Sequence, residues 1–290
     1  MNPEILIYGT GEVGGIRISE DAYLYDKGPE VVKGLIMLGI VTANDIEGDA
    51  ADGILGLGPM KTLAGRGHFV TALKEQGLIE YEIFSFDFKP QNEKSKMIFG
   101  DIDTKIVSNF HDIIWVPIEG GEEYWNLPLR STSYGDNQTL KNAKYAVIDT
   151  GSSTMALAED NFLELMQSIL DTGLECGFFI DEKFVACAAP NGFKDFPVFT
   201  MNINGHLFDM DPEDYLACED DICVILVYNL GDRVVVDRET IVLGVNFLRK
   251  YYTVFDIEKS RVGIYGHKIN AKTSAFEGLL FLSLIALFVL

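Results

Sequence analysis

The feature that most constrains the fold is how the apolar residues are spaced: short runs cut by Gly, Asn, Asp and Pro, with few long helical periods. Residues 5–8, 34–41, 83–88, 96–99, 113–118 and 145–148 read as strands, as do 198–203, 224–228, 234–236 and 251–255. Two stretches carry a helical period, 68–76 and 159–169, the second with acidic residues in its first turn. Closely spaced strands with rare helices predict an all-β protein. At 290 residues the chain can bury one large core or two smaller ones. The polar stretch 101–112 separates two strand clusters, which divides the chain into residues 1–112, 113–269 and an apolar tail, 270–290. A faint internal echo links Asp52-Gly53-Ile54-Leu55-Gly56 with Ile241-Val242-Leu243-Gly244. In each, large apolar residues lead into a glycine, as a buried strand requires where another backbone approaches closely.

Charge narrows the partners. Lys+Arg number 23 against 44 Asp+Glu, a formal charge of −21. A field of that sign repels nucleic acid and anionic membrane surfaces, and it suits a protein that works in acid, where carboxylates protonate and self-repulsion relaxes. The four cysteines, Cys176, Cys187, Cys218 and Cys223, lie in the second half and form no CxxC pair, and the four histidines lack ligand spacing. No metal or cofactor is therefore expected. Clustered, even-numbered cysteines point to disulfides and an oxidising compartment, with three pairings open. Asn137-Gln138-Thr139 is a single glycosylation sequon, consistent with secretion. The first residues, Met1-Asn2-Pro3-Glu4, carry no basic and apolar leader pattern. Residues 278–290 are uncharged and apolar, too short for an ordinary spanning helix, which needs about 20 residues. They suit the removable tail of a glycolipid-anchor signal, with a docked terminal helix as the alternative.

The chemistry concentrates at Asp149-Thr150-Gly151-Ser152, directly after the buried run Ala146-Val147-Ile148. A turn through Gly151 can aim backbone N–H groups at the Asp149 carboxylate, and Ser152 can add a hydroxyl donor, both favouring the ionised form. One such carboxylate does little to a peptide bond. Two that share a proton can work together, one as base toward water and one as donor to the carbonyl oxygen. The other Asp-Thr-Gly, at 171–173, follows the second helical stretch in a polar setting and reads as a helix-ending turn.

Further motifs accompany this turn in a fixed order. Tyr8-Gly9-Thr10-Gly11 leads, then Asp52-Gly53-Ile54-Leu55-Gly56-Leu57-Gly58, Glu75-Gln76-Gly77-Leu78-Ile79 and Ile98-Phe99-Gly100-Asp101. Trp115-Val116-Pro117 comes before Asp149, and Leu243-Gly244, Tyr252-Thr253-Val254-Phe255-Asp256 and Val262-Gly263 come after it. In this order, along almost the whole chain, the motifs resemble those of the pepsin-like aspartic proteases. The resemblance implies a bilobal, all-β acid protease fold with an incomplete N-terminal lobe, because the family's first Asp-Thr-Gly turn precedes the flap and here the flap begins at residue 8. It implies that residues 1–112 are the remainder of that lobe, and 113–269 the C-terminal lobe. It further implies Asp149 as the C-lobe catalytic aspartate, with Thr150 bracing the twin turn and Gly151 and Ser152 supporting the carboxylate. Tyr8, Gly9 and Thr10 would contact substrate from the flap, and Ile54 would line a pocket beside the scissile bond. A Cys187–Cys223 bridge is implied, leaving Cys176 and Cys218 as an extra pair. The acidic residue usual after the closing Leu-Gly is Val245 here, a change expected to affect only local packing.

The implied activity is aspartic endopeptidase cleavage of peptide or protein substrates in the secretory pathway, outside the cell or in an acidic vacuole-like compartment, with the C-terminal tail as a candidate membrane attachment. The alternative is a catalytically inactive peptide-binding or interaction module. A homodimer contributing one Asp149 per chain is disfavoured, since the remaining N-lobe would obstruct the symmetric contact.

Overall fold

The computed structural model describes residues 4–7, 12–23, 31–44, 53–59, 68–90, 93–121, 123–231 and 237–266. Strands β1 (Glu4–Ile7), β2 (Glu12–Tyr23) and β3 (Val31–Asn44) form an antiparallel three-stranded sheet. Its two long strands are only partly buried, so it is a ribbon anchored chiefly through Val13, Val32 and Leu35. Helix α1 (Phe69–Glu75) buries Phe69, Val70 and Leu73 at helical spacing, which is the period seen at 68–76.

Strands β4 (Ile83–Asp87), β5 (Lys96–Phe99) and β6 (Ile114–Pro117) share a five-stranded antiparallel sheet with β19 (Tyr251–Asp256) and β20 (Arg261–Gly266), in the order β5-β4-β19-β20-β6. Residues on both sides of position 112 therefore meet in one sheet. The next elements are β7 (Asn126–Tyr134), β8 (Asn137–Thr139), β9 (Tyr145–Ile148) and β10 (Met155–Leu157), followed by helix α2 (Glu159–Leu170). After α2 come β11 (Cys176–Phe179), β12 (Phe184–Ala188), β13 (Phe199–Ile203) and β14 (His206–Met210). A one-turn helix, α3 (Pro212–Tyr215), opens on the capping residue Asp211 and precedes β15 (Leu216–Glu219) and β16 (Ile222–Ile225). The described residues end with β17 (Val227–Asn229), β18 (Thr240–Leu243), helix α4 (Val245–Lys250), β19 and β20. The fold is all-β, as its spacing predicts.

An eight-stranded sheet runs β14-β13-β7-β9-β18-β10-β17, with β8 paired to β7. Strand β18 is fully buried and lies between β9, its parallel neighbour, and β10, its antiparallel neighbour. Burial on both faces explains why Ile241-Val242-Leu243 reads as a continuous apolar run without alternation. One large core joins these layers. Phe84 of β4 stacks on Phe255 of β19 at 4.7 Å, and the Trp125 ring meets Phe255 at 5.0 Å and Phe84 at 5.9 Å, both edge-on.

The Asp-Thr-Gly at 171–173 ends α2: Gly173 has φ 89° and its N–H donates to the Leu170 carbonyl at 2.9 Å. The run 224–228 is two strands, β16 and β17, while 234–236 lies outside the described residues, as does the tail 270–290. Among the described residues no helix is long and apolar enough to cross a membrane.

The disulfide pairing departs from expectation. Bridges join Cys176 to Cys187 and Cys218 to Cys223. The four cysteines stand in one row across the sheet β11-β12-β16-β15, so Cys187 does face Cys223. Close and wide pairs alternate across an antiparallel sheet, so a central-strand residue has one close partner. Each inner cysteine has its close partner in its own hairpin, with Cα atoms 4.0 Å apart in both bridges.

Peptide mapping under non-reducing conditions should recover these two hairpin bridges. The separations, 11 residues against 5, set the order of their contributions. Removing Cys176–Cys187 by double serine replacement should cost about 3 kcal/mol and removing Cys218–Cys223 about 2 kcal/mol, read from urea denaturation of the two variants.

Candidate active site

Asp149 is placed by strand topology. Strands β9 and β10 flank β18, so the connection between them, residues 149–154, must cross the end of β18. The last residue of β18 and the first of α4 pin the connection at two points. Asp149 N–H donates to the Leu243 carbonyl at 3.0 Å, and Val245 N–H donates to the Ser152 carbonyl at 2.7 Å. Gly244 sits between them, where a Cβ would run into the carbonyl oxygens of Ser152 and Thr154. This is the close backbone approach that the apolar run into Gly244 predicts.

Within the connection, Gly151 N–H donates to Asp149 Oδ1 at 2.9 Å, a turn closed by the aspartate side chain. Asp149 is 4% exposed. Burial of a charge is unfavourable by itself, and an N–H donor aimed at the oxygen offsets part of that cost. Thr150 and Gly151 are half-buried and Ser152 is buried. The Ser152 hydroxyl donates to the Thr154 carbonyl at 2.8 Å, so its support is directed to the connection that carries Asp149.

The segment 53–59 reaches this site through one side chain. Trp125 Nε1–H donates to the Leu57 carbonyl at 2.8 Å, and the Trp125 carbonyl accepts from Ile148 N–H at 3.2 Å. Two hydrogen bonds thus tie Leu57 to the residue preceding Asp149. Ile54, half-buried, lies on the same segment. The ring of His68 adds a contact to the Gly58 carbonyl at 2.9 Å. Tyr8, Gly9 and Thr10 lie outside the described residues. Among the described residues no group of three or more His, Cys, Asp or Glu is placed to hold a metal ion.

A buried aspartate on an Asp-Thr-Gly turn, seated over the end of a flanked apolar strand, is accompanied by a family-level match. The family model for eukaryotic aspartyl protease matches residues 3–266. The chain belongs to that family. Its fold is accordingly the bilobal pepsin-like one. Gastricsin of Cavia porcellus is 26% identical over 264 residues, covering 89% of this chain and 64% of the relative. Pepsin A of Sus scrofa is 29% identical over 216 residues, 73% of this chain and 53% of that protein. Pepsin A of Gallus gallus is 27% identical, with 73% and 55% covered. The chain spans between about half and two-thirds of the length of these relatives.

Sequence reasoning missed two contributors, Trp125 and the backbone of Val245. Trp125 carries no motif signal of its own beyond being one of 2 tryptophans. Val245 acts through its N–H, which any residue except proline supplies, so the absence of the usual acidic side chain leaves this bond intact.

Gly244→Ala should destabilise the chain by about 3 kcal/mol, since the clash is with backbone and not with a yielding side chain. Trp125→Phe should cost about 1–3 kcal/mol by leaving the Leu57 carbonyl without its buried donor. Both are measurable by chemical denaturation, and a neutral Gly244→Ala would show that the connection is not held as described.

Proposed function

We propose that Asp149 is the C-lobe aspartate of a pepsin-like aspartic endopeptidase, and that its partner carboxylate belongs to a segment outside these 290 residues. The reading is carried by one observation: the carboxylate of Asp149, a residue 4% exposed, receives the Gly151 N–H on a turn fixed by Leu243 and Val245. Paired with a second carboxylate sharing one proton, it would serve a general acid–base reaction. One carboxylate takes a proton from water, the water oxygen bonds to the scissile carbonyl carbon, and the other carboxylic acid protonates the carbonyl oxygen. Collapse of the tetrahedral intermediate breaks the C–N bond as the amine leaves protonated.

In this reading Thr150 reaches across to the twin turn, Tyr8, Gly9 and Thr10 cover a bound peptide, and Ile54 lines a pocket beside the cut. Substrates are peptides or unfolded proteins, and no cofactor takes part. The two disulfides support an oxidising, secretory setting. Attachment through residues 270–290 would add a membrane to that setting. The 290-residue chain alone does not turn over peptide bonds.

The test is hydrolysis of an acid-denatured protein, with and without pepstatin. The chain as given should show no pepstatin-sensitive cleavage. An extended chain, or a complementing fragment, that supplies a second Asp-Thr-Gly turn should cleave, and Asp149→Asn should lower that rate on the order of 10^4-fold. Cleavage by the 290-residue chain itself would overturn the missing-partner reading. Activity of the extended protein that survives Asp149→Asn would overturn the role of Asp149. Peptide binding without cleavage in the extended protein would favour the inactive module.

A further inference from the structure

The sequon Asn137-Gln138-Thr139 takes no part in the catalytic reading, yet its placement is specific. Strand β7 ends at Tyr134, the chain turns through Gly135, with φ 60°, and Asp136, and β8 begins at Asn137 directly opposite Tyr134. Asp136, Asn137 and Gln138 are all exposed at this hairpin tip. Among the described residues β8 pairs only with β7, so the sequon opens an edge strand. Thr139 is the opposite case: it is 0% exposed, Ser168 Oγ of α2 donates to its hydroxyl at 2.9 Å, and its carbonyl accepts from Thr132 Oγ1 at 2.6 Å.

We propose that Asn137 carries an N-linked oligosaccharide and that it is added before β8 docks. The proposal rests on the secretory setting above. In the reaction the Asn137 amide nitrogen attacks the anomeric carbon of a polyprenyl-pyrophosphate-linked oligosaccharide. The C–N bond forms, the C–O bond to pyrophosphate breaks with its electron pair leaving on the pyrophosphate, and an amide proton passes to a base of the transferase. The transferase must bind the threonine hydroxyl in an extended sequon. In the folded chain that hydroxyl is sealed against Ser168, so Asn137 is exposed while its recognition element is hidden.

The position also separates the sugar from the catalytic face. Asn126, at the start of β7, pairs with Val147 of β9, close to Asp149, while Tyr134 at the other end pairs with Asn137. Eight residue steps along β7 separate 126 from 134, at most about 26 Å at about 3.3 Å each, since a bulge at Arg130 bends the strand. A glycan there would cover the open edge of β8 against edge-to-edge pairing.

The experiment expresses the full chain behind a cleavable secretory leader in a glycosylating eukaryotic host. Peptide-N-glycosidase should increase its gel mobility by one glycan and convert Asn137 to aspartate in the peptide mass spectrum. Asn137→Gln should abolish the shift and Thr139→Ser should retain it. A secreted chain with both disulfides formed and Asn137 bare overturns the glycan while leaving the compartment standing. A chain that is neither secreted nor disulfide-bonded overturns the secretory setting, and the glycan with it. A second arm offers unmodified chain to an oligosaccharyltransferase and a lipid-linked donor. Transfer should occur to the reduced, denatured chain and not to the folded one. Equal transfer to both overturns addition before docking.

Discussion

The geometry of the site depends on the contact between the end of β18 and the connection that crosses it. Leu243 offers a carbonyl to Asp149, Val245 offers an N–H to Ser152, and Gly244 between them offers no side chain. Only a residue without Cβ lets the two backbones approach closely enough for both bonds to form. Because β9 and β10 are hydrogen-bonded to opposite edges of β18, the connection cannot slide along it without breaking ladder pairs on one side or the other. Asp149 is therefore fixed by sheet topology, and its own hydrogen bond to Gly151 needs only to orient a carboxylate already in place.

The fixed Asp149 turn is coupled to the rest of the molecule through Trp125. Its ring packs edge-on against the stacked pair Phe84 and Phe255, which belong to the five-stranded sheet, while its N–H and carbonyl hold Leu57 and Ile148. One residue thereby links the segment before α1, the strand leading to Asp149 and the sheet shared by the early and late parts of the chain. The two aromatic contacts and the two hydrogen bonds are of similar size, about 0.5–1.5 kcal/mol per aromatic pair beyond area burial against about 1 kcal/mol net for an ordinary hydrogen bond. The hydrogen bonds supply direction: they set which way the 53–59 segment faces relative to Asp149.

The parts of this arrangement that were legible in sequence share a cause. Asp149-Thr150-Gly151 and Leu243-Gly244 are local: a side chain, a turn and a close approach each leave a signature within a few residues. The helical periods at 68–76 and 159–169 are legible for the same reason, and α1 and α2 occupy them almost residue for residue. Helix α4, with six residues, is too short to display a period, and its start depends on the end of β18. Strand β7 carries Pro128 and Arg130 among apolar positions, so its nine residues show no clean alternation. The cysteine pairing was illegible because it is decided by which cross-strand pair is close, a property of sheet register that spacing along the chain does not encode. Cys187 and Cys223 are register partners, so the resemblance pointed to the right row and the wrong rung.

A turn held this tightly would have a consequence for the proposed catalysis. Preorganised donors raise rates because they need not rearrange when charge develops, and that holds only if the backbone carrying them is itself fixed. Here the described hydrogen bonds of Asp149 run to backbone groups of β18 and of the turn, whose placement is insensitive to side-chain identity at positions such as Val245. A partner carboxylate arriving from elsewhere would meet a rigid half, and most of the positional adjustment between the two would fall on the incoming segment. The ribbon β2–β3 is built the opposite way, long and mostly half-exposed with few core anchors. Burial is thus distributed unevenly, concentrated under Asp149 and thin in the ribbon. In the proposed endopeptidase, such a distribution would hold the Asp149 carboxylate still while leaving the ribbon free to open locally.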